Sequence, residues 1–386
     1  MSFTPGTHSI LFLDHAAALG GAEHSLLLLL RHLDRQRFRP LLACNPGPLA
    51  IAAHELGVPT LPIAMPRLRG NPLALVELLR GGLALALVVR RERIALVHSN
   101  VVRAAFYALP AARLTGRPLV WHVRDIHAPG QPGGAWYPRL MCRMATRMIA
   151  ISQAVAAVLP CAGRATIIYN GVDLTAFDPH MHNRDAATLR VELDLPHAGP
   201  LVGILGRVWP WKGQTDFLRA AALVAPAHPT AHFAVIGDTL FAAERDYLQE
   251  LRDLAHELGI AHRVTFTGHR SDVPQLLAAL DLLVHCSQAE PFGRVLIEAM
   301  AMARPVVAYA DGGVPEIVVN GVTGRLVPPG DIAALARSIG ELLAHPAQAR
   351  ALGTAGRERV VHQFDARQTA RAIEQVYAEL LDGKKV

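Results

Sequence analysis

Short apolar runs alternate with helix-length amphipathic stretches along nearly the whole chain. In the first half, Ser9–Leu13, Phe38–Ala43, Ala95–His98, Leu119–Val123 and Met148–Ile151 have the length and apolar character of strands buried on both faces. Ala165–Tyr169 is a further strand and runs into the turn signal Asn170-Gly171. Helices are predicted between them at Ala22–Leu33, opened by Gly20-Gly21, and at Leu73–Arg93 and Arg103–Leu114. Ser152 is placed to cap a helix over Gln153–Leu159. Residues 170–200 are polar and broken by Pro179, Pro196 and Pro200, which marks a domain junction.

A second series repeats the pattern. Leu201–Leu205, His232–Ile236, Val264–Thr267, Leu282–His285 and Pro305–Tyr309 are predicted strands. Helices fit Gln214–Leu223, Glu244–Leu258, Asp272–Ala279, Gly293–Ala303 and Ile332–Leu343. The last, Ala366–Leu381, carries Ala370, Ile373, Val376, Tyr377 and Leu380 on one face. The pattern predicts an α/β protein of two Rossmann-like, doubly wound parallel-sheet domains facing a central cleft. Their expected extents are 1–175 and 176–365, with 366–386 a helix and tail that packs back toward the first domain. Ligands of such sheets bind beyond the carboxyl ends of the strands. Neither half shows G-x-G-x-x-G after its first strand, which argues against a dinucleotide-dependent oxidoreductase.

Composition narrows the class. Of 386 residues 51% are hydrophobic and 5% aromatic, which excludes disorder, collagen and coiled coil. The longest apolar runs, Leu26–Leu30 and Gly81–Val89, fall short of the roughly 20 residues that span a bilayer. The N-terminal MSFTPGTHSI lacks a signal-peptide pattern, and Cys44, Cys142, Cys161 and Cys286 form no C-x-x-C pair. These features lead to the expectation of no disulfide framework, no zinc site and a cytoplasmic setting. Charge is unevenly spread: residues 1–180 hold 18 Arg and 9 acidic residues, while 181–386 hold 20 basic and 23 acidic ones. Arg67, Arg69 and Arg80, then Arg90, Arg91 and Arg93, then Arg139, Arg143 and Arg147 cluster in the basic half. An anionic partner fits that half. Nucleic acid is disfavoured, because aromatic interleaving and any helix-turn-helix or RNA-binding signature are missing. An anionic membrane surface remains.

The candidate chemistry centres on Glu290-Pro-Phe-Gly-Arg-Val-Leu-Ile-Glu298. Two carboxylates flank a glycine turn at the mouth of a predicted helix, whose free amides suit an anion. Carboxylates so placed can grip vicinal hydroxyls. Arg207 and Lys212, in Gly206-Arg-Val-Trp-Pro-Trp-Lys-Gly213, follow the first strand of the second domain, where a phosphate would bind. Lys212 is one of only three lysines, the others being Lys384 and Lys385. A compact ammonium is therefore wanted at that loop.

Together with Asn170–Asp173, Gly268–Arg270 and Gly312–Glu316, these segments resemble glycosyltransferase family 4, most densely from Asn170 to Pro329. The resemblance implies a retaining enzyme of GT-B fold with a nucleotide-diphosphate sugar as co-substrate, a UDP- or GDP-sugar, and no further cofactor. It implies that Arg207 and Lys212 hold the diphosphate, Glu298 the ribose, and Glu290 the transferred sugar. Phe292, Gly293, Arg294, Val295 and Leu296 then surround sugar and phosphate, and the backbone near His269 and Arg270 lines the base pocket. In the first domain Gly20-Gly21 matches the family's glycine loop and His122 its active-site histidine. His98 and Asn100, at another strand end, are weaker candidates than His122. Glu23, Asn100, Arg124 and Asp125 are weak candidates on the acceptor side, the acceptor being a saccharide or lipid-linked saccharide. No D-x-D occurs, so no bridging metal is implied. Two rivals share the architecture: a nucleotide-sugar epimerase and a non-catalytic partner subunit with a degenerate site.

Overall fold

The computed structural model describes residues 7–16, 18–66, 73–126, 136–182, 185–193, 195, 198–239 and 245–383. Arg67, Arg69, Pro196, Glu244, Lys384 and Lys385 lie outside them. The chain divides into two compact units, residues 1–171 with 366–386, and residues 172–365.

The first unit is built on strands β1 (His8–Leu13), β2 (Phe38–Cys44), β3 (Thr60–Pro62), β4 (Ile94–Ser99), β5 (Leu119–Val123), β6 (Arg147–Ala150) and β7 (Ala165–Ile167). They form one sheet in the order β3-β2-β1-β4-β5-β6-β7, and all its pairs are parallel. The chain leaves β1 on one side and returns to β4 on the other, so the sheet reverses direction between those two strands. Ile10, Phe12, Leu42, Leu96, Val120 and Ile149 fill one face under the helix Gly21–His32. The C-terminal helix Ala366–Leu381 joins the same core through Ala370, Ile373, Val376 and Tyr377. On the opposite flank the helices Ala74–Arg91 and Val102–Thr115 approach closely because the former carries glycines at the contact. A methyl on Gly81 would stand 2.7 Å from Tyr107, and one on Gly82 2.7 Å from Pro110.

The second unit repeats the plan with β8 (Leu201–Leu205), β9 (His232–Ile236), β10 (Val264–Gly268), β11 (Leu282–His285), β12 (Val306–Tyr309) and β13 (Arg325–Val327). Its order is β10-β9-β8-β11-β12-β13, with the reversal between β8 and β11. Phe217, Phe233, Val284, Tyr309 and Leu335 belong to its core. Both units are therefore the expected parallel Rossmann-like sheets. Ser152 caps its helix as expected, accepting from the Val155 amide at 3.0 Å.

One expectation is corrected. Cys142, in the helix Tyr137–Met144, and Cys161 are joined in a disulfide, with Cα atoms 5.9 Å apart. They stand 19 positions apart in sequence, and only the return of the chain through β6 brings them together. Cys44 and Cys286 are free and buried. Cysteine usage thus gives no argument for a reducing compartment. Among the described residues no helix is long and apolar enough to cross a membrane.

Candidate functional site

In the second unit the loops after β8, β11 and β12 are bonded to one another at the carboxyl edge of the sheet. After β8, Val208 N donates to Asp238 O at 3.0 Å, and Gln214 Nε2 donates to Arg207 O at 2.9 Å. The Arg207 guanidinium lies 5.0 Å from the Trp209 ring and the Lys212 ammonium 4.0 Å from the Trp211 ring. Gln288 N donates to Trp211 O at 2.9 Å, which ties this loop to the segment leading to Glu290.

Lys212 Nζ then meets Glu290 Oε2 at 2.7 Å. His285 Nε2, at the end of β11, is 3.4 Å from the same oxygen, within ion-pair reach but outside hydrogen-bond geometry. Burial alone would raise the Glu290 carboxyl. The charge of Lys212 and the proximity of His285 outweigh it and hold the group well below the usual carboxylate range. Glu290 is thus an anion whose charge is already matched. Just before it, Ala289 adopts a left-handed φ of 50°. The turn is braced by Asp311, whose Oδ2 accepts from Ala289 N at 2.7 Å and whose Oδ1 accepts from Gly312 N at 2.8 Å.

Gly293, with φ of 100°, is the N-cap of the helix Arg294–Ala301 and uses no side chain to cap it. The first amides of that helix are therefore presented beside Phe292 and Gly293. Arg294 Nη2 donates to Glu298 Oε1 at 2.8 Å, so a second carboxylate is paired one turn into the helix. Val295 follows Arg294, and Leu296 is fully buried. Arg270 forms a two-point pair with Asp272, at 2.6 and 2.8 Å, while His269 is exposed beside Gly268 at the end of β10.

In the first unit the edge where the sheet reverses is polar and buried. Gly20 caps the helix Gly21–His32, and its amide donates to Glu23 Oε2 at 2.8 Å, which closes the loop on itself. Asp14, beyond β1, accepts from Asn100 Nδ2 at 2.6 Å and from Ala16 N at 2.8 Å. Burial, and then the charge of Glu23, push the Asp14 carboxyl up to about 6. Arg124, just past β5, donates to Asn100 Oδ1 at 2.9 Å and Asn170 Oδ1 at 2.8 Å. Its Nη2 stands 3.3 Å from His122 Nδ1. His122 and His98 are buried and adjacent, Nδ1 to Nε2 at 3.3 Å. A small recess is lined by Ser25, His122, Arg124, Asn170, Gly171 and Thr369. Asp125, the next residue after Arg124, is exposed.

The residues expected from sequence therefore fall into two groups, one per unit. Lys212 and Glu290 meet directly, Glu298 is held by Arg294, and Arg207 rests on Trp209. Asn100, Arg124 and His122 form one network, in which the Arg124 guanidinium is committed to protein partners. Sequence reasoning missed His285 and Asp311 as site residues, and also missed Tyr377 beside His98. The first two sit at strand ends, the same positional signal that singled out Arg207.

Comparison with known proteins bears on family and fold. A family model described as Glycosyltransferase Family 4 matches residues 19–176, and one described as Glycosyl transferases group 1 matches residues 185–359. An alpha-maltose-1-phosphate synthase of Mycolicibacterium smegmatis is 30% identical over 344 residues, covering 82% of this chain and 86% of that protein. A D-inositol 3-phosphate glycosyltransferase of Mycolicibacterium gilvum is 38% identical over 184 residues, 47% of this chain, and the match spans only 40% of that protein's length. The crystal structure of Anabaena HepE in complex with UDP and glucose superposes with a TM-score of 0.84 at 30% identity, covering 96% of this chain and 99% of that one.

Proposed function

The chain belongs to glycosyltransferase family 4, with the Rossmann-like units of the GT-B fold, and from that premise we propose that it transfers a sugar from a nucleotide-diphosphate sugar to an acceptor hydroxyl with retention of configuration. The observation that carries this reading is the second unit's carboxyl edge. There a part-buried Lys212–Glu290 pair, a helix N-terminus at Gly293 that no side chain caps and the Glu298 carboxylate share one loop system. Such an edge suits a ligand with a diphosphate and vicinal hydroxyls. Arg207, Lys212 and the amides at Gly293 and Arg294 take the diphosphate, Glu298 the ribose and Glu290 the sugar. The backbone at His269 and Arg270 takes the base, and Phe292, Val295 and Leu296 shape the pocket. UDP is the favoured nucleotide, since UDP and glucose occupy the similar Anabaena protein.

In the proposed reaction the bond between the anomeric carbon and the phosphate oxygen breaks as the acceptor oxygen attacks from the same face. The acceptor proton passes to the departing phosphate oxygen. Fixed cations and amides stabilise the charge that develops on that phosphate, usually the largest catalytic contribution, and no metal is required. His122 gives a hydrogen bond to the donor sugar, and Gly20-Gly21 lets backbone approach the phosphate. Glu23, Asn100, Arg124 and Asp125 belong to the acceptor side, a saccharide or lipid-linked saccharide. The test is a thermal-shift panel of UDP-, GDP- and ADP-sugars, followed by product analysis. Retention in the product supports the reading, whereas turnover of the donor with no acceptor present would instead mark an epimerase.

We also propose that the first unit rests on an anionic cytoplasmic membrane surface. Two features support it. One is the basic excess in residues 1–180. The other is the helix Ala74–Arg91, whose outer face exposes Val76, Leu79, Leu83 and Leu87 in one stripe, with Leu87 at 67%. Arg80, Arg90 and Arg91 are exposed along it. A helix apolar on its outer as well as its inner face, edged by arginines, matches an interfacial element.

A further inference from the structure

Three buried side chains from three distant segments make a single polar chain in the first unit. Tyr377 Oη, from the C-terminal helix, is 2.7 Å from His98 Nδ1. His98 Nε2, at the end of β4, is 3.3 Å from His122 Nδ1 on β5. All three are essentially without solvent exposure. At the far end His122 Nε2 is buried and has no hydrogen-bond partner among the described residues.

The direction of this chain follows from one member that can only donate. Arg124 Nη2 stands 3.3 Å from His122 Nδ1, and a guanidinium has no acceptor. His122 Nδ1 therefore carries a lone pair. His98 Nε2, facing that same lone pair, must carry a proton. His98 Nδ1 is then the bare nitrogen and accepts the hydrogen bond that the Tyr377 hydroxyl donates. Both imidazoles are neutral, because burial first and the Arg124 charge second push both well below the ordinary histidine value, His98 to about 3. The remaining proton of His122 sits on Nε2, at the unpartnered end. An unmatched buried donor is costly unless something supplies an acceptor.

We infer that Tyr377 and His98 are positioning residues which fix His122 as the Nε2–H tautomer, so that His122 serves as a hydrogen-bond donor to an oxygen of the bound ligand. This deepens the transferase reading and rests on it for the ligand, a sugar hydroxyl. The tautomer itself rests only on the geometry. His122 in this state has no lone pair to offer at Nε2 and cannot act as a general base there. The C-terminal helix thereby contributes to the reaction chemistry through Tyr377 rather than only closing the core.

The test is nitrogen NMR on the full chain with labelled histidine, the His122 ring signals being assigned by their loss in His122→Gln. The expected wild-type spectrum has a protonated Nε2 and a bare Nδ1, and this measurement needs no second variant. Tyr377→Phe keeps the ring that packs on Phe12 and Phe38, and His122 should then show both tautomers. With UDP-glucose as donor, kcat should fall about tenfold while KM stays within about twofold, a split that simple loosening of the fold does not give. His98→Gln, whose amide can both accept and donate, should retain most activity, whereas His98→Leu should not. A protonated Nδ1 in the wild type overturns the inference, as does a single unchanged tautomer in both Tyr377→Phe and His98→Leu. A wild type with the Nε2–H tautomer that turns over no nucleotide sugar supports the relay and sinks the transferase reading.

Discussion

Lys212 Nζ and Glu290 Oε2 stand 2.7 Å apart, with the lysine side chain 21% and the glutamate 9% exposed. A lysine-poor chain has thus placed its ammonium where it neutralises the carboxylate of its most distinctive motif. Removing one partner leaves the other as a poorly solvated charge, so the pair should behave as a unit. Lys212→Ala is expected to lose about 2–3 kcal/mol of stability and at least about 100-fold in transfer. Lys212→Ala with Glu290→Gln should recover much of the stability in urea titrations but none of the transfer. Recovery of both would mean that the pair is structural only.

Glu298 should separate binding from folding. One of its oxygens accepts from Arg294 at 2.8 Å, and the pair lies within one helix, so its loss should shift Tm little. Glu298→Ala is nevertheless expected to weaken nucleotide-sugar binding by about 100-fold, because hydroxyls of the ligand then lose a charged acceptor. Calorimetric titration with UDP-glucose reads this directly. Unchanged affinity would move the ribose contact elsewhere.

Much of the fold and part of the site are legible in the sequence. The strands Leu201–Leu205, His232–Ile236 and Leu282–His285 match the expected residues from end to end, since each is an apolar run bounded by polar or turn residues. Thr60–Pro62 and Arg325–Val327 escaped notice because three residues at a sheet edge leave no periodicity. The site divides the same way. Motif residues such as Glu290 and Gly293 announce themselves locally. Asp311 bracing Ala289, and Tyr377 bonding His98 across 279 positions, are contacts that only folding creates. The Cys142–Cys161 bridge belongs to that second kind.

Buried groups in the first unit make stability depend on pH in opposing ways. His98 is held to about 3, so its contribution is complete above the unfolded value of 6.5 and is lost as pH falls toward 3. Asp14 is raised from 3.8 to about 6, so its contribution is complete below 3.8 and is lost as pH rises through 6. Each slope reaches about 1.4 kcal/mol per pH unit. His98→Gln should therefore flatten the loss of stability between pH 7.5 and 4.5, and Asp14→Asn should steepen it. Denaturant titrations at both pH values check this, and parallel curves for wild type and both variants would refute it.

The leucine stripe gives a membrane test that leaves the sites alone. Leu79, Leu83 and Leu87 are exposed by 51%, 54% and 67%, so replacing two of them by Ser removes mostly solvated side chain and should leave Tm within about 2 °C. The wild type is expected to sediment with vesicles containing anionic lipid and to be released by salt. Leu83→Ser with Leu87→Ser should reduce the bound fraction severalfold. Equal sedimentation with neutral vesicles, or binding unaffected by the double change, would reject the stripe as a membrane contact.

Gly312 shows how closely the second unit's loops are fitted. Its φ is +56°, and an added methyl would lie 2.1 Å from the Glu290 carbonyl oxygen, the same oxygen that accepts from Gly313 N at 2.8 Å. Alanine there must both adopt a left-handed backbone and push Glu290 off its seat. Gly321, with φ of +76° and nothing within 4 Å of its methyl position, imposes only the first cost. Gly321→Ala should lose about 1–2 kcal/mol, the ordinary cost of a left-handed alanine, with transfer intact. Gly312→Ala should lose more and also cut transfer about tenfold or further, because a displaced Glu290 no longer meets Lys212. Equal effects of the two substitutions on stability and activity would show that the Glu290 loop tolerates the shift, and that its close fit against Gly312 has no bearing on catalysis.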